Sequence, residues 1–199
     1  MSSMRKLSWG LVALALIAWA VPNLSQPQSP GNVQAWPELE RLDKDVRVVV
    51  VTWLSRDCEA KEGANLLEQF WSVGNELQPV FREAYRQGPP PQVVDEARKA
   101  AASAFDQRQA WLQEEGEDLM SAEEVQRQLA IPSGDYIQRR IEDVGIGWRE
   151  RALIALGLVG DDETLDELLR LAESDSPGAA AAARALEERE AMEDGGGFT

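Results

Sequence analysis

The chain has 199 residues, 44% of them hydrophobic, with one cysteine, no histidine, and 35 acids against 20 bases for a formal charge of −15. That length suits one domain or two small ones, and the apolar content is enough for a core. The missing histidine excludes every Ser-His-Asp, Cys-His and His-metal mechanism, and the single thiol, Cys58, makes neither an internal disulfide nor a zinc site.

Residues 1–24 open with a short basic stretch, Arg5-Lys6, followed by an almost unbroken apolar run from Leu7 to Val21. This is the layout of an export signal. Two readings stand. Ala18-Trp19-Ala20 places small residues where a signal peptidase reads them, so cleavage after Ala20 would release a soluble exported protein. Trp9 and Trp19 flank the run as interfacial tryptophans do, so residues 7–21 could instead stay in the membrane as an anchor. In both readings Arg5 and Lys6 remain cytoplasmic and the rest is translocated, in a bacterium to the periplasm. Residues 25–35 are a proline-bearing linker, with Pro27 and Pro30 inside it and Pro22 and Pro37 beside it. The folded part is expected over 36–191, with a disordered tail over 192–199. Residues 1–24 hold no acid, so the remainder carries 18 bases against 35 acids, a charge of −17. Such acidity repels nucleic acid and anionic headgroups.

The apolar spacing predicts helices throughout. Val46, Val49, Val50, Trp53 and Leu54 fit a helical stripe. Their segment is also β-branched enough for a strand, but no second strand exists to pair with it. Leu77, Val80, Phe81, Ala84 and Tyr85 fill a complete i, i+3, i+4, i+7, i+8 pattern. Ala97, Ala100, Ala101, Ala104 and Phe105 do the same, extended by Trp111 and Leu112. Ser121-Ala-Glu-Glu124 reads as a capping box for a helix through Leu129. Ile137, Ile141 and Val144 mark a short helix. Trp148, Ala152, Ala155, Leu156 and Val159 mark the next, with Gly145 between them. Leu165, Leu168, Leu169 and Ala172 form another stripe, and the alanine run Ala179–Ala183 opens a last helix. Glycine and proline fall between stripes, at Gly74, Gly88-Pro-Pro-Pro91, Gly116, Pro132, Gly160 and Pro177.

The segment Trp148–Leu186 resembles a HEAT repeat of the short bacterial kind. The quoted parts are Ala155-Leu156-Gly157, the turn Gly160-Asp161, the pair Leu168-Leu169, the turn Asp175-Ser176-Pro177 and the helix Ala179–Leu186. The resemblance covers about a fifth of the chain. It implies an all-α fold, a right-handed stack of antiparallel helix pairs forming a partly degenerate α-solenoid, behind an N-terminal hydrophobic helix. It implies that an arginine in the place of Arg149 pairs with a turn aspartate. Ala179 stands where the next unit would carry its arginine, so the ladder is not continued.

Paired carboxylates are the acid-base chemistry available, at Asp161-Asp162-Glu163 and at Glu114-Glu115 with Glu117-Asp118. Both clusters fall at helix ends, where acids favour the macrodipole. No calcium-loop spacing or glycine-rich phosphate loop is present, so no cofactor or metal is expected. Arg139, Arg140, Arg149 and Arg151 are either a docking patch for an acidic partner or internal partners of Glu142, Asp143 and Glu150. Trp36, at the linker edge, is expected to be exposed or to dock on the first helix. Phe70 and Trp71 cannot both face inward on one helix, so one of them is a candidate contact residue. The expected function is an exported, helical-repeat, protein-interaction module or scaffold whose partner is another protein. The alternatives are a histidine-independent envelope hydrolase using paired carboxylates and a purely structural membrane-associated spacer.

Overall fold

One long helix organises the others. The computed structural model describes residues 36–55 and 60–194. In chain order these form α1 (Pro37–Arg41), α2 (Lys44–Ser55), α3 (Ala60–Val73), a 3-10 turn (Gly74–Leu77), α4 (Gln78–Gln87) and α5 (Pro91–Glu114). There follow α6 (Gly116–Leu119), α7 (Ala122–Leu129), α8 (Ser133–Val159), α9 (Asp162–Ala172) and α10 (Ala179–Glu193). The protein is all-α, with no strand among the described residues. The export segment, the linker, Cys58 and residues 195–199 lie outside the described residues.

α8 has 27 residues, about 40 Å of helix. Its C-terminal half is buried on every side: each residue from Ala152 to Val159 is buried. A helix apolar all round belongs in the middle of a core, and α2, α3, α4, α5, α9 and α10 all pack against α8. The core joins Trp148, Leu153, Leu156 and Val159 of α8 to Leu54, Phe70, Leu77, Phe81 and Leu168. The aromatic rings of Trp53, Phe70 and Phe81 meet edge to face in series, at centroid separations of 6.2 and 5.0 Å.

The break expected at Gly145 is absent, because Gly145 is buried inside α8. A helical glycine costs only about 1 kcal/mol relative to alanine. Packing of α5 on the N-terminal half and of the core on the C-terminal half outweighs that. Other punctuation falls as expected. Gly74 and Gly88 adopt φ of +71° and +76°, the left-handed backbone that favours glycine. Pro91 opens α5, and Ser121 Oγ accepts from Glu124 N at 3.2 Å to cap α7. The valine-rich segment is helical as α2, burying Val50, Trp53 and Leu54 while Val48 faces out. Met192 packs on the core and α10 continues to Glu193, past the expected boundary at 191.

The stripe on α9 is rotated from the expected one. Leu168 is fully buried with Leu171, Thr164 and Glu167, whereas Leu169 is 50% exposed. Leu169 therefore does not serve the seam. The seam itself is tightest where α10 crosses α8. A Cβ on Gly157 would stand 2.5 Å from the Ala185 carbonyl oxygen, so only glycine fits there.

Two predictions follow from this packing. Leu168→Ala should destabilise the domain by about 2–5 kcal/mol in urea unfolding, while Leu169→Ala should stay within about 0.5 kcal/mol. Gly157→Ala should lower stability by about 1–3 kcal/mol despite its helix-propensity gain. Gly145→Ala should raise stability by about 0.5–1 kcal/mol, because its new methyl meets only Arg149 Nη1 at 3.5 Å. Equal effects at the two glycines would refute the close crossing.

Candidate functional site

Four polar assemblies among the described residues each draw on residues distant in sequence. The first joins α4 to the start of α9. Asp161 caps α9: its Oδ1 accepts from Thr164 N at 3.0 Å and from the Thr164 hydroxyl at 2.8 Å. Thr164 Oγ1 in turn accepts from Gln78 Nε2 at 2.8 Å and from Arg82 Nη2 at 2.7 Å. Arg82 Nη1 also lies 2.8 Å from Glu167 Oε2, whose side chain is buried. Donated hydrogen bonds, the Thr164 backbone N–H foremost, hold the Asp161 carboxyl below the usual carboxylate range.

The second assembly is built on Glu83, a buried acid on α4. Its Oε2 accepts from Glu38 N at 3.2 Å and Leu39 N at 3.3 Å, and its Oε1 accepts from Gln87 Nε2 at 3.4 Å. Glu83 therefore supplies the N-terminal cap that α1 lacks from its own residues. Burial pushes its carboxyl up, the two backbone N–H groups oppose this, and Glu38 and Glu40 add to the rise. A raised carboxyl is what a two-carboxylate hydrolase needs of its acid. Here both oxygens are engaged in holding α1 and α4.

The third assembly closes the end of α8. Arg189 Nη1 donates to the carbonyls of Gly157 at 3.2 Å, Leu158 at 3.4 Å and Gly160 at 3.1 Å. Its Nε donates to Glu193 at 2.7 Å, and its guanidinium carbon lies 5.4 Å over the Trp71 ring. A cation at a helix C-terminus answers the macrodipole, and the indole adds a cation–π contact.

The fourth surrounds Arg149, which is half-buried on α8. Its Nη1 donates to Gly145 O at 3.3 Å, and a Cβ on Gly88 would lie 2.7 Å from its Nη2. Its Nε is buried and meets no hydrogen-bond partner among the described residues. Burial lowers its affinity for the proton, and the Tyr85 phenol opposes this.

The structure redistributes the residues expected to bind a partner. Trp36 is buried, edge to face on Trp148 at 5.9 Å, rather than exposed or docked on the first helix. Trp36 is the residue before α1, and with 8% of its surface exposed it offers little contact surface. Phe70 is buried in the aromatic series. Trp71, its neighbour, is half-buried beneath Arg189. Arg139 and Arg140 are exposed on the first half of α8. Arg140 lies 5.5 Å over the Tyr136 ring, with Arg108 5.8 Å from the same ring.

The four arginines expected as one patch diverge. Arg140 and Arg149 are nine residues apart, which puts them about 180° apart around α8. Arg151 turns inward, its Nε donating to Leu54 O at 3.0 Å while Trp53 Nε1 donates to Arg151 O at 3.0 Å. Arg149 does not pair with Asp161, whose Oδ1 accepts from Thr164 and Gln78 instead. Gly160 ends α8 as expected, and Pro177 lies in the turn before α10. Glu114, Glu115, Glu117 and Asp118 are exposed at the ends of α5 and α6. Among the described residues no group of three or more His, Cys, Asp or Glu side chains is placed to hold a metal. No described helix is long and apolar enough to cross a membrane.

Sequence reasoning missed Glu83, Arg82, Glu167 and Arg189 as organising groups. Glu83 and Glu167 carried one signal, a lone acid on a face otherwise filled by buried residues. The family models, the curated proteins and the solved structures give no match to this chain.

The Glu83 assembly makes a pH prediction. A carboxyl raised in the folded state binds protons more readily there than in the unfolded chain, so its titration reduces stability as pH rises from about 4.3 through the raised value. Glu83→Gln keeps an acceptor oxygen and removes the buried charge. Its stability relative to the parent should therefore increase between pH 5 and pH 8 in urea melts. A pH-independent difference would show that Glu83 ionises as freely in the fold as in water.

Proposed function

We propose that this chain is an exported protein-interaction module. Residues 1–24 direct or anchor it, the linker over 25–35 spaces it from the membrane, and the helical domain presents its surface to another protein. We assign α8–α10 as a HEAT-like unit, in which α10 packs on both α8 and α9. The preceding helices complete a degenerate, solenoid-like stack around it. Helix pairs of this kind expose long faces suited to partner binding, an inference by analogy of fold class.

The observation that carries this reading is where the interior acids go. Glu83 holds a helix start, and Glu167 holds Arg82. Chemistry that needs a free buried carboxylate finds these two engaged. Recognition through the exterior remains, and the exposed Arg139 and Arg140 beside Tyr136 are cationic against a domain of −17. They suit an acidic surface on the partner.

Photo-crosslinking in the intact envelope tests this. A crosslinking residue at position 139 or 140 of the full-length protein should give one discrete adduct. The same residue at Leu169, exposed on the far helix α9, should not give that adduct. Either no adduct from 139 and 140, or the same adducts from all three positions, would refute partner binding through this face.

A further inference from the structure

Arg149 is a strongly basic group that the fold partly buries without an ion pair to an acid among the described residues. Its Nη1 reaches a carbonyl, its Nη2 lies against Gly88, and its buried Nε meets nothing. The neighbouring group that acts on its charge is the Tyr85 phenol. The sequence pattern implied a turn aspartate as its partner, but the Oδ1 of Asp161 accepts from Thr164 and Gln78 instead. Arg82, Arg189 and Arg41 each find a carboxylate oxygen within 2.9 Å.

The surroundings are those of a receptor for negative charge. Gly88 has φ of +76° and no side chain, so the guanidinium lies directly on its backbone. Three residues later begins α5, a helix of 24 residues with no acid in its first turn and no side-chain cap. Its uncapped N–H groups add positive potential beside Gly88. On the other side, the Tyr85 hydroxyl lies 3.4 Å from where a Cβ on Gly178 would be. Gly178 ends the turn containing Ser176, whose buried Oγ also lacks a partner among the described residues.

We propose that the corner between the α4–α5 turn, α8 and the α9–α10 turn is a binding site for a small oxyanion. Arg149 is its cation and Tyr85 its hydroxyl donor. The shared chemistry is a carboxylate or phosphate oxygen accepting charge-assisted hydrogen bonds from the guanidinium and one from the phenol. The source is either a free anion or an acidic group on a bound protein. The site does not depend on the partner-binding face at Arg139 and Arg140, which lies nine to ten residues, about 14–15 Å, back along α8.

Thermal unfolding of the full chain in detergent decides this, with acetate, phosphate or chloride added at constant ionic strength. Acetate or phosphate should raise Tm saturably above chloride. Arg149→Met keeps the aliphatic stem and removes the charge, and it should fold and weaken the anion at least about tenfold. Tyr85→Phe should weaken it by a smaller factor. An effect of acetate alone assigns a carboxylate; an effect of both assigns a general oxyanion. No rise above chloride, or the same rise in Arg149→Met, overturns the site. Failure of Arg149→Met to fold, with Arg149→Lys folding but equally unresponsive to anions, would show the guanidinium to be a structural element and also overturns it.

Discussion

The structure depends on how closely α10 approaches the buried half of α8. Gly157 has no Cβ, and on the facing helix Ala181, Ala182 and Ala185 are small and buried. Two backbones that near each other leave no room for adjustment. From Ala152 to Gly160 every residue of the α8 segment is enclosed, so a shift of α10 would displace helices on the other sides as well. Arg189 follows Ala185 by four residues, about one turn. It therefore projects from the same face and reaches the last carbonyls of α8 only because the seam is narrow. The Trp71 ring beneath Arg189 carries this geometry on to α3. One missing methyl group thus sets the helix separation, the C-terminal cap and the seat of a half-buried tryptophan.

Charge is handled by the same economy of placement. A domain of −17 repels itself, and its interior takes in few acids. Each of those placed there meets a helix start or an arginine. Breaking such a pair by removing one member costs about 3–5 kcal/mol, mostly from the charge left behind. Glu83 and Asp161 do similar jobs at two helix starts yet respond to pH in opposite directions. Asp161 is exposed and well supplied with donors, so its stabilisation is lost as pH falls through its lowered value. Glu83 is desolvated and faces Glu38 and Glu40, so its contribution weakens as pH rises. The difference is one of solvation, not of residue type.

How much of this was legible in the sequence depends on whether a helix is half-buried or enclosed. The stripe Leu77, Val80, Phe81, Ala84 and Tyr85 could be read directly, since α4 has one wet face, and all five are buried. α8 could not be read as one helix. Its enclosed half has no polar face to give a phase, and Gly145 sits where a break would be placed. On α9, leucines pointed to Leu165, Leu168, Leu169 and Ala172. The buried set is Thr164, Glu167, Leu168 and Leu171, because Gln78 and Arg82, more than 80 residues away, bond the two polar members. No local pattern encodes a partner at that distance. Trp36 shows the same limit: its burial rests on Trp148, on the far side of the chain.

Arg149 brings these threads together. Its place in a HEAT-like pattern implied a turn aspartate as partner. The turn aspartate Asp161 instead gives its Oδ1 to Thr164 and Gln78 in the α4–α9 network. That network joins α4 to the start of α9 through side chains. A helix that ended at Gly145 would have begun a new one near Trp148 and placed Arg149 in a first turn, free to swing toward an acid. In the continuous helix its position is fixed, facing Gly88 and Tyr85. Desolvating a guanidinium disfavours the fold unless negative charge answers it. The same straightness that builds the core therefore leaves Arg149 half-buried with no ion pair among the described residues.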